Sequence, residues 1–195
     1  MIGILDYGMG NLRSVEKAIQ HLGGACRIQQ DLSGIDKLLI PGVGAFPAAM
    51  ERILPLRAEI RRFAESGQLV MGICLGQQLL FESGEEVREC EGLGLLPGRV
   101  RELPKDRGLK VPHMGWTSLA IAQNDGLFRG IEEGSQVYFV HSFYTDCQPE
   151  HAASWTEYGV RFASAVQAGN VWGTQFHPEK SGEVGLRILR NFVEW

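Results

Sequence analysis

The sequence predicts an α/β fold: a mostly parallel central sheet flanked by helices, with an added antiparallel portion. Two observations predict it. The first 84 residues alternate short apolar runs with segments whose apolar residues recur every three or four positions. The second half changes to apolar runs separated by Gly, Pro and Asn turns, closed by an amphipathic segment. Alternating strands and helices argue for parallel strands covered on both faces. At 195 residues the chain suits one domain, read here as residues 1–195.

The elements follow in order. Residues 2–5 read as a short buried strand, and Asp6-Tyr7-Gly8-Met9-Gly10-Asn11 as a turn. Leu12, Val15, Ile19 and Leu22 give the next segment a helical apolar face, which Gly23-Gly24 stops. Residues 25–28 and 37–40 are the second and third strands. Pro41-Gly42-Val43-Gly44 breaks the pattern. Residues 45–66 are mostly helical, with Pro47 near the start and an interruption at Pro55. Residues 69–73 are a fourth strand and 76–82 a helix. Strands are then expected over 92–103, 114–121, 136–144, 155–158, 162–167 and 171–176, with one helical turn at 125–129. Residues 181–195 close as a helix with Val184, Ile188, Leu189 and Phe192 on one face.

Composition narrows the function classes. A net charge of −4 gives no footprint for nucleic acid or an anionic membrane. No apolar run approaches the roughly 18 residues that span a bilayer. The opening Met1-Ile2-Gly3-Ile4-Leu5-Asp6 lacks a basic n-region and a cleavage site, so no secretory signal is read and a cytoplasmic location is expected. The four cysteines, at 26, 74, 90 and 147, form no C-x-x-C pair, which argues against a metal site. Scattered single thiols suit a reducing compartment, and Cys26, Cys90 and Cys147 read as inert packing.

Chemistry concentrates at Gly72-Ile73-Cys74-Leu75-Gly76. An apolar strand enters this pentapeptide and a helix leaves it, the pattern of a nucleophile elbow with cysteine in place of serine. Helix-terminal N–H groups favour thiolate there. Alone, the pentapeptide equally suits a buried core cysteine. A nucleophile needs a base and a group to orient that base. Of the five histidines, His177 follows an apolar strand and precedes Pro178-Glu179. A strand end is where α/β sheets carry their sites, and the stiff turn can return the Glu179 carboxylate to the imidazole. An oxyanion needs donors; the Leu75 N–H and the Gly42-Val43 segment are candidates. Gln78 shares the helix face of Cys74 and can contact a substrate. His113 and His141, in or beside apolar segments, read as site-lining or as hydrogen-bonded core residues.

Taken together, these motifs resemble the class I glutamine amidotransferase family, whose elbow matches Gly72 to Gly76, whose His-x-Glu pair matches His177 and Glu179, and whose glycine-rich oxyanion loop matches Pro41 to Gly44. Within it the chain most resembles the glutaminase subunits of imidazole glycerol phosphate synthases. That resemblance is carried by Asp6 to Val15, Pro41 to Phe46, Pro112-His113-Met114-Gly115-Trp116 and Phe176 to Ser181, and it covers nearly the whole chain. Thr117 departs from it, standing where the resemblance implies asparagine.

The resemblance implies a flavodoxin-like three-layer fold and a Cys74–His177–Glu179 triad. It also implies oxyanion donors around Gly42, Val43 and Leu75, and substrate contacts from Gly44, Gln78, His141, Ser142 and Phe143. No cofactor and no metal are implied. The implied reaction hydrolyses glutamine and passes the ammonia to a separate (β/α)8-barrel cyclase of histidine biosynthesis, with Tyr138 and Lys180 facing that partner. Glutamine hydrolysis is expected to be weak without the partner. Other readings keep part of this: a glutaminase for pyridoxal phosphate, anthranilate, aminobenzoate, nucleotide or sugar-amidation synthases, a γ-glutamyl Cys-His hydrolase, or a binding subunit with an inert elbow.

Overall fold

Side chains of the central strands alternate between two apolar layers, which is what a strand buried on both faces requires. The computed structural model describes residues 1–106 and 108–195. The strands are β1 (Ile2–Leu5), β2 (Cys26–Gln29), β3 (Lys37–Gly42), β4 (Leu69–Cys74), β5 (Phe81–Gly84), β6 (Cys90–Glu91), β7 (Leu96–Glu102) and β8 (His113–Ser118). They continue as β9 (Ala120–Ile121), β10 (Gln136–His141), β11 (Phe143–Asp146), β12 (Ala152–Glu157), β13 (Arg161–Ala168) and β14 (Val171–Thr174). The α-helices are α1 (Leu12–His21), α2 (Phe46–Ile53), α3 (Arg57–Glu65), α4 (Leu75–Leu79) and α5 (Gly182–Glu194).

The main sheet has eight strands in the order β2-β1-β3-β4-β14-β13-β12-β9. β2, β1, β3, β4 and β14 run parallel, while β13, β12 and β9 extend the sheet antiparallel. On one face Leu38, Ile40 and Val70 pack with Phe46, Ile53, Ile60 and Phe63 of α2 and α3. On the other, Leu39, Met71 and Ile73 pack with Val15 and Ile19 of α1 and with Ile188, Leu189 and Phe192 of α5. Two smaller sheets complete the fold: a β8–β10 ribbon, and a four-stranded sheet ordered β11-β7-β5-β6.

The parallel half matches the sequence reading closely. Leu12 and Leu22 flank the buried Val15 and Ile19 of α1 as packed, partly buried residues. Pro55 interrupts the long helical stretch with a 3₁₀ turn at Leu54–Leu56, between α2 and α3.

Several expected boundaries are corrected. The helix after the elbow covers only Leu75–Leu79, not 76–82, because Phe81–Gly84 leaves it to pair in parallel with β7. Phe81 is fully buried by that exchange, so tertiary pairing overrides helical spacing. The strand expected over 92–103 begins at Leu96, since residues 92–95 are held in a turn against Leu79, Leu80, Phe81 and Glu82. The strands expected over 114–121 and 136–144 each divide, at Leu119 and Ser142. In both cases the chain leaves the β8–β10 ribbon for a different sheet, to pair with β12 or β7. Among the described residues, no helix is long and apolar enough to cross a membrane.

Candidate active site

Three neighbouring parallel strands, β3, β4 and β14, deliver the chemistry from their C-terminal ends. Gly42 pairs with Cys74, and Thr174 pairs with Ile73, three residues before His177. Cys74 sits between β4 and α4 at φ 57°, ψ −112°, a strained conformation for a residue with a side chain. The flanking glycines make that turn possible. A Cβ on Gly72 would lie 2.4 Å from the Gly76 carbonyl oxygen, and one on Gly76 only 1.8 Å from that of Ile40. The elbow expected from the pentapeptide is therefore built by the packing of α4 directly on β3 and β4.

His177 and Glu179 occupy the turn after β14. The Nδ1–H of His177 donates to Glu179 Oε1 at 2.9 Å, and both side chains are buried, at 3% and 2% exposure. A carboxylate oxygen only accepts, so the imidazole carries a proton on Nδ1 and presents Nε2 on its other side. Burial works against charge on this ring, but Cys74 and Glu179 outweigh it and raise its pKa to about 9. Nε2 itself is buried without a well-formed hydrogen bond. Both His177 and Cys74 line the same cleft, so the raised pKa registers the sulfur's proximity rather than a completed bond. The turn is tied to β10: His177 N–H donates to the Tyr138 carbonyl at 3.0 Å, and Ser181 Oγ donates to the His177 carbonyl at 2.6 Å.

The cleft holds about 310 Å³, and its lining includes Val43, Gly44, Cys74, Leu75, Gln78 and Glu86. Pro112, Val140, His141, Ser142, Phe143 and His177 form the rest. Of the residues singled out from sequence, Cys74, His177, Val43, Leu75, Gly44, Gln78, His141, Ser142 and Phe143 meet here. Gly42 lies just beneath as the last residue of β3, which extends two residues past its expected end. Tyr7 Oη donates to the Pro41 carbonyl at 2.8 Å and fixes that peptide. Glu179 is buried behind His177, while Tyr138 and the exposed Lys180 lie outside the cleft.

Two details were not legible in the sequence. Glu86 lies in a loop, and no spacing marked it, yet it lines the cleft and accepts from the Phe46 N–H at 2.7 Å. Gln175, fully buried, aims Nε2 at Cys74 Sγ from 3.9 Å and accepts from Gln78 Nε2 at 3.0 Å. It adjoins the histidine motif, but a lone glutamine at a strand end carries no signal. The histidines at 113 and 141 are both buried, and His141 also lines the cleft: its Nδ1–H donates to the Phe143 carbonyl at 2.8 Å, and its Nε2 meets His113 Nδ1 at 2.9 Å.

Burial pushes Cys147 up to about 12, helped by Asp146 and Glu150, and burial also raises Cys26 and Cys90. Among the described residues, no group of three His, Cys, Asp or Glu side chains is placed to hold a metal ion.

The cysteine elbow and the His177–Glu179 pair thus lie at the ends of neighbouring strands of a doubly covered parallel sheet, the arrangement that cysteine-dependent α/β hydrolases use. The class I glutamine amidotransferase family model matches residues 4–195, and the chain belongs to that family. It is 52% identical to a protein of Methanosarcina mazei named imidazole glycerol phosphate synthase subunit HisH, over 99% of this chain and 98% of that one. A Bacillus cereus protein of the same name is 48% identical, over 98% of this chain and 93% of its own. Among solved structures, the fold is similar to that of PurLQS from Thermotoga maritima (TM-score 0.76, 21% identity, covering 99% and 97% of the two chains). It is equally similar to a glutamine amidotransferase structure (TM-score 0.75, 19% identity, covering 98% and 97%).

Proposed function

We propose that this chain is the glutaminase subunit of an imidazole glycerol phosphate synthase: it hydrolyses glutamine to glutamate and passes the ammonia to a separate cyclase subunit in histidine biosynthesis. The carrying observation is the Glu179–His177 bond, which leaves His177 Nε2 in one cleft with Cys74 on its strained turn. Cys74 Sγ, as thiolate, attacks the glutamine amide carbon. N–H groups of the Gly42-Val43 segment and of Leu75 stabilise the oxyanion. The His177 Nε2 proton goes to the leaving nitrogen, and ammonia departs as the γ-glutamyl thioester forms. Neutral His177 then takes a proton from water as its oxygen attacks the thioester, and collapse returns thiolate, imidazolium and glutamate.

The cleft wall suits an amino acid. Glu86 supplies a carboxylate for the substrate ammonium. Both N–H groups of Gln78 are committed, to the Phe143 carbonyl at 2.9 Å and to Gln175, so its Oε1 is left to accept from the substrate. Gly44, Ser142 and Phe143 complete the wall. The partner is a (β/α)8-barrel cyclase docking beside Tyr138 and Lys180, where Met114 and Trp116 of the ribbon are 62% and 54% exposed. The relatives named above support that pathway, and the unpaired thiols suit the cytoplasm. The test is co-purification with the barrel cyclase, followed by glutamine-dependent formation of imidazole glycerol phosphate. A pair that makes product from ammonium salts but not from glutamine contradicts the reading.

A further inference from the structure

A hydrogen-bonded chain with a fixed direction runs from the exposed ribbon to the cleft. It ends at the Phe143 carbonyl, which accepts from His141 Nδ1 at 2.8 Å. A carbonyl cannot donate, so His141 carries its proton on Nδ1 and offers the Nε2 lone pair. His113 Nδ1, 2.9 Å away, must then donate to it. That leaves His113 Nε2 as an acceptor, and the group opposite is Thr117 Oγ1 at 2.8 Å, which donates. Every proton in the chain is thereby assigned by its neighbours.

The histidines are held neutral and immobile. Both are buried, at 2% and 6% exposure. His113 stacks between Phe139 and Tyr158, with ring centroids 4.8 and 4.0 Å away. Burial lowers His113 to about 4 and His141 to about 3, so neither charges near neutral pH. At the far end the same Phe143 carbonyl accepts from Gln78, whose other N–H is committed to Gln175 and through it to the Cys74 sulfur.

We infer that Thr117 is a positioning residue for the glutamine cleft: its hydroxyl, donating to His113 Nε2, anchors the His113–His141 pair and so holds the Phe143 carbonyl and Gln78 in the substrate wall. This rests on the proposed role of Gln78 and Phe143 as that wall. Without the hydroxyl, His113 Nε2 loses its donor. A buried acceptor left without a donor is costly, and a ring that shifts to relieve it loosens the 2.9 Å contact with His141. Valine has the shape of threonine and removes only that donor, while serine keeps it.

The experiment combines ring ¹⁵N NMR of the full chain with glutaminase kinetics for the wild type, Thr117→Val, Thr117→Ser and Gln78→Ala. Both histidines in the wild type are expected to be Nδ1-protonated. Thr117→Val is expected to shift the ring ¹⁵N resonances of His113 and His141 and to raise KM for glutamine about threefold to tenfold with kcat little changed, as loss of ground-state positioning does. Thr117→Ser restores both readouts. An Nε2-protonated His141 or His113 in the wild type overturns the inference, whatever the kinetics. If Gln78→Ala raises KM while Thr117→Val leaves KM and the ring ¹⁵N resonances untouched, the inference fails and the substrate wall stands. If Gln78→Ala leaves KM unchanged, the wall itself fails and the inference falls with it.

Discussion

Replacing Glu179 by Gln isolates the charge that holds His177 in its working state. The carboxylate accepts from Nδ1–H at 2.9 Å in a site where both side chains are almost fully buried. With a pKa of about 9, His177 in the folded chain lies above the ordinary value of 6.5. A folded pKa raised in this way stabilises the fold fully below pH 6.5, and the contribution is lost as pH rises through about 9. At 1.36 kcal/mol per unit this amounts to at most about 3 kcal/mol, shared between Cys74 and Glu179. Hydrogen bonds to a charged partner contribute about 1.5–3 kcal/mol, and an amide oxygen recovers about half. Glu179→Gln is therefore expected to lower the His177 pKa by about one unit and kcat by about a hundredfold, a loss typical of impaired general acid–base transfer. NMR titration of the His177 ring from pH 5 to 10.5 reads the first effect. Steady-state assay reads the second, and urea melts at pH 6 and 9.5 read a further consequence, a smaller stability difference in the variant than in the wild type. A His177 that titrates at the same pH in both proteins refutes the reasoning, since Glu179 would then not govern its charge.

Three further outcomes follow from the same geometry. Gly76→Ala places a Cβ 1.8 Å from the Ile40 carbonyl oxygen and is expected to destabilise the fold by about 2 kcal/mol or more, measured by chemical denaturation; wild-type stability contradicts the account of the elbow. Tyr7→Phe removes the donor to the Pro41 carbonyl, which is expected to cost about 1 kcal/mol and to lower kcat several-fold by freeing the Gly42 peptide. An unchanged kcat in steady-state assay detaches Tyr7 from the oxyanion segment. Trp116→Ala is expected to weaken cyclase binding about tenfold by calorimetry, as loss of an aromatic anchor does; undiminished affinity removes the ribbon from the docking surface.

The parallel half was readable because its residues obey one periodicity each. Leu38, Leu39 and Ile40 form a continuous apolar run, and Val15 and Ile19 keep helical spacing. The Cys74 turn was legible from its flanking glycines, and the His177–Glu179 pair from its two-residue spacing across Pro178 at a strand end; that Cys74 and His177 share one cleft is a matter of the fold. The remainder was not local. Phe81 abandons a helical pattern because β7 buries it, and the strands divide at Leu119 and Ser142 because each half joins a different sheet. Glu86 and Gln175 enter the site through loop and strand-end geometry, without any periodic signal. Thr117 showed in the sequence only as a departure, and its bond to His113 exists only once the ribbon has folded.

Labelling with the glutamine-like electrophile diazo-oxo-norleucine, followed by peptide mass spectrometry, tests the central claim most directly. The account predicts one adduct, on Cys74, formed in step with the loss of glutamine hydrolysis, slowed by glutamine and absent in Cys74→Ala. Modification at Cys26, Cys90 or Cys147 instead, or glutamine hydrolysis that persists in Cys74→Ala, contradicts it.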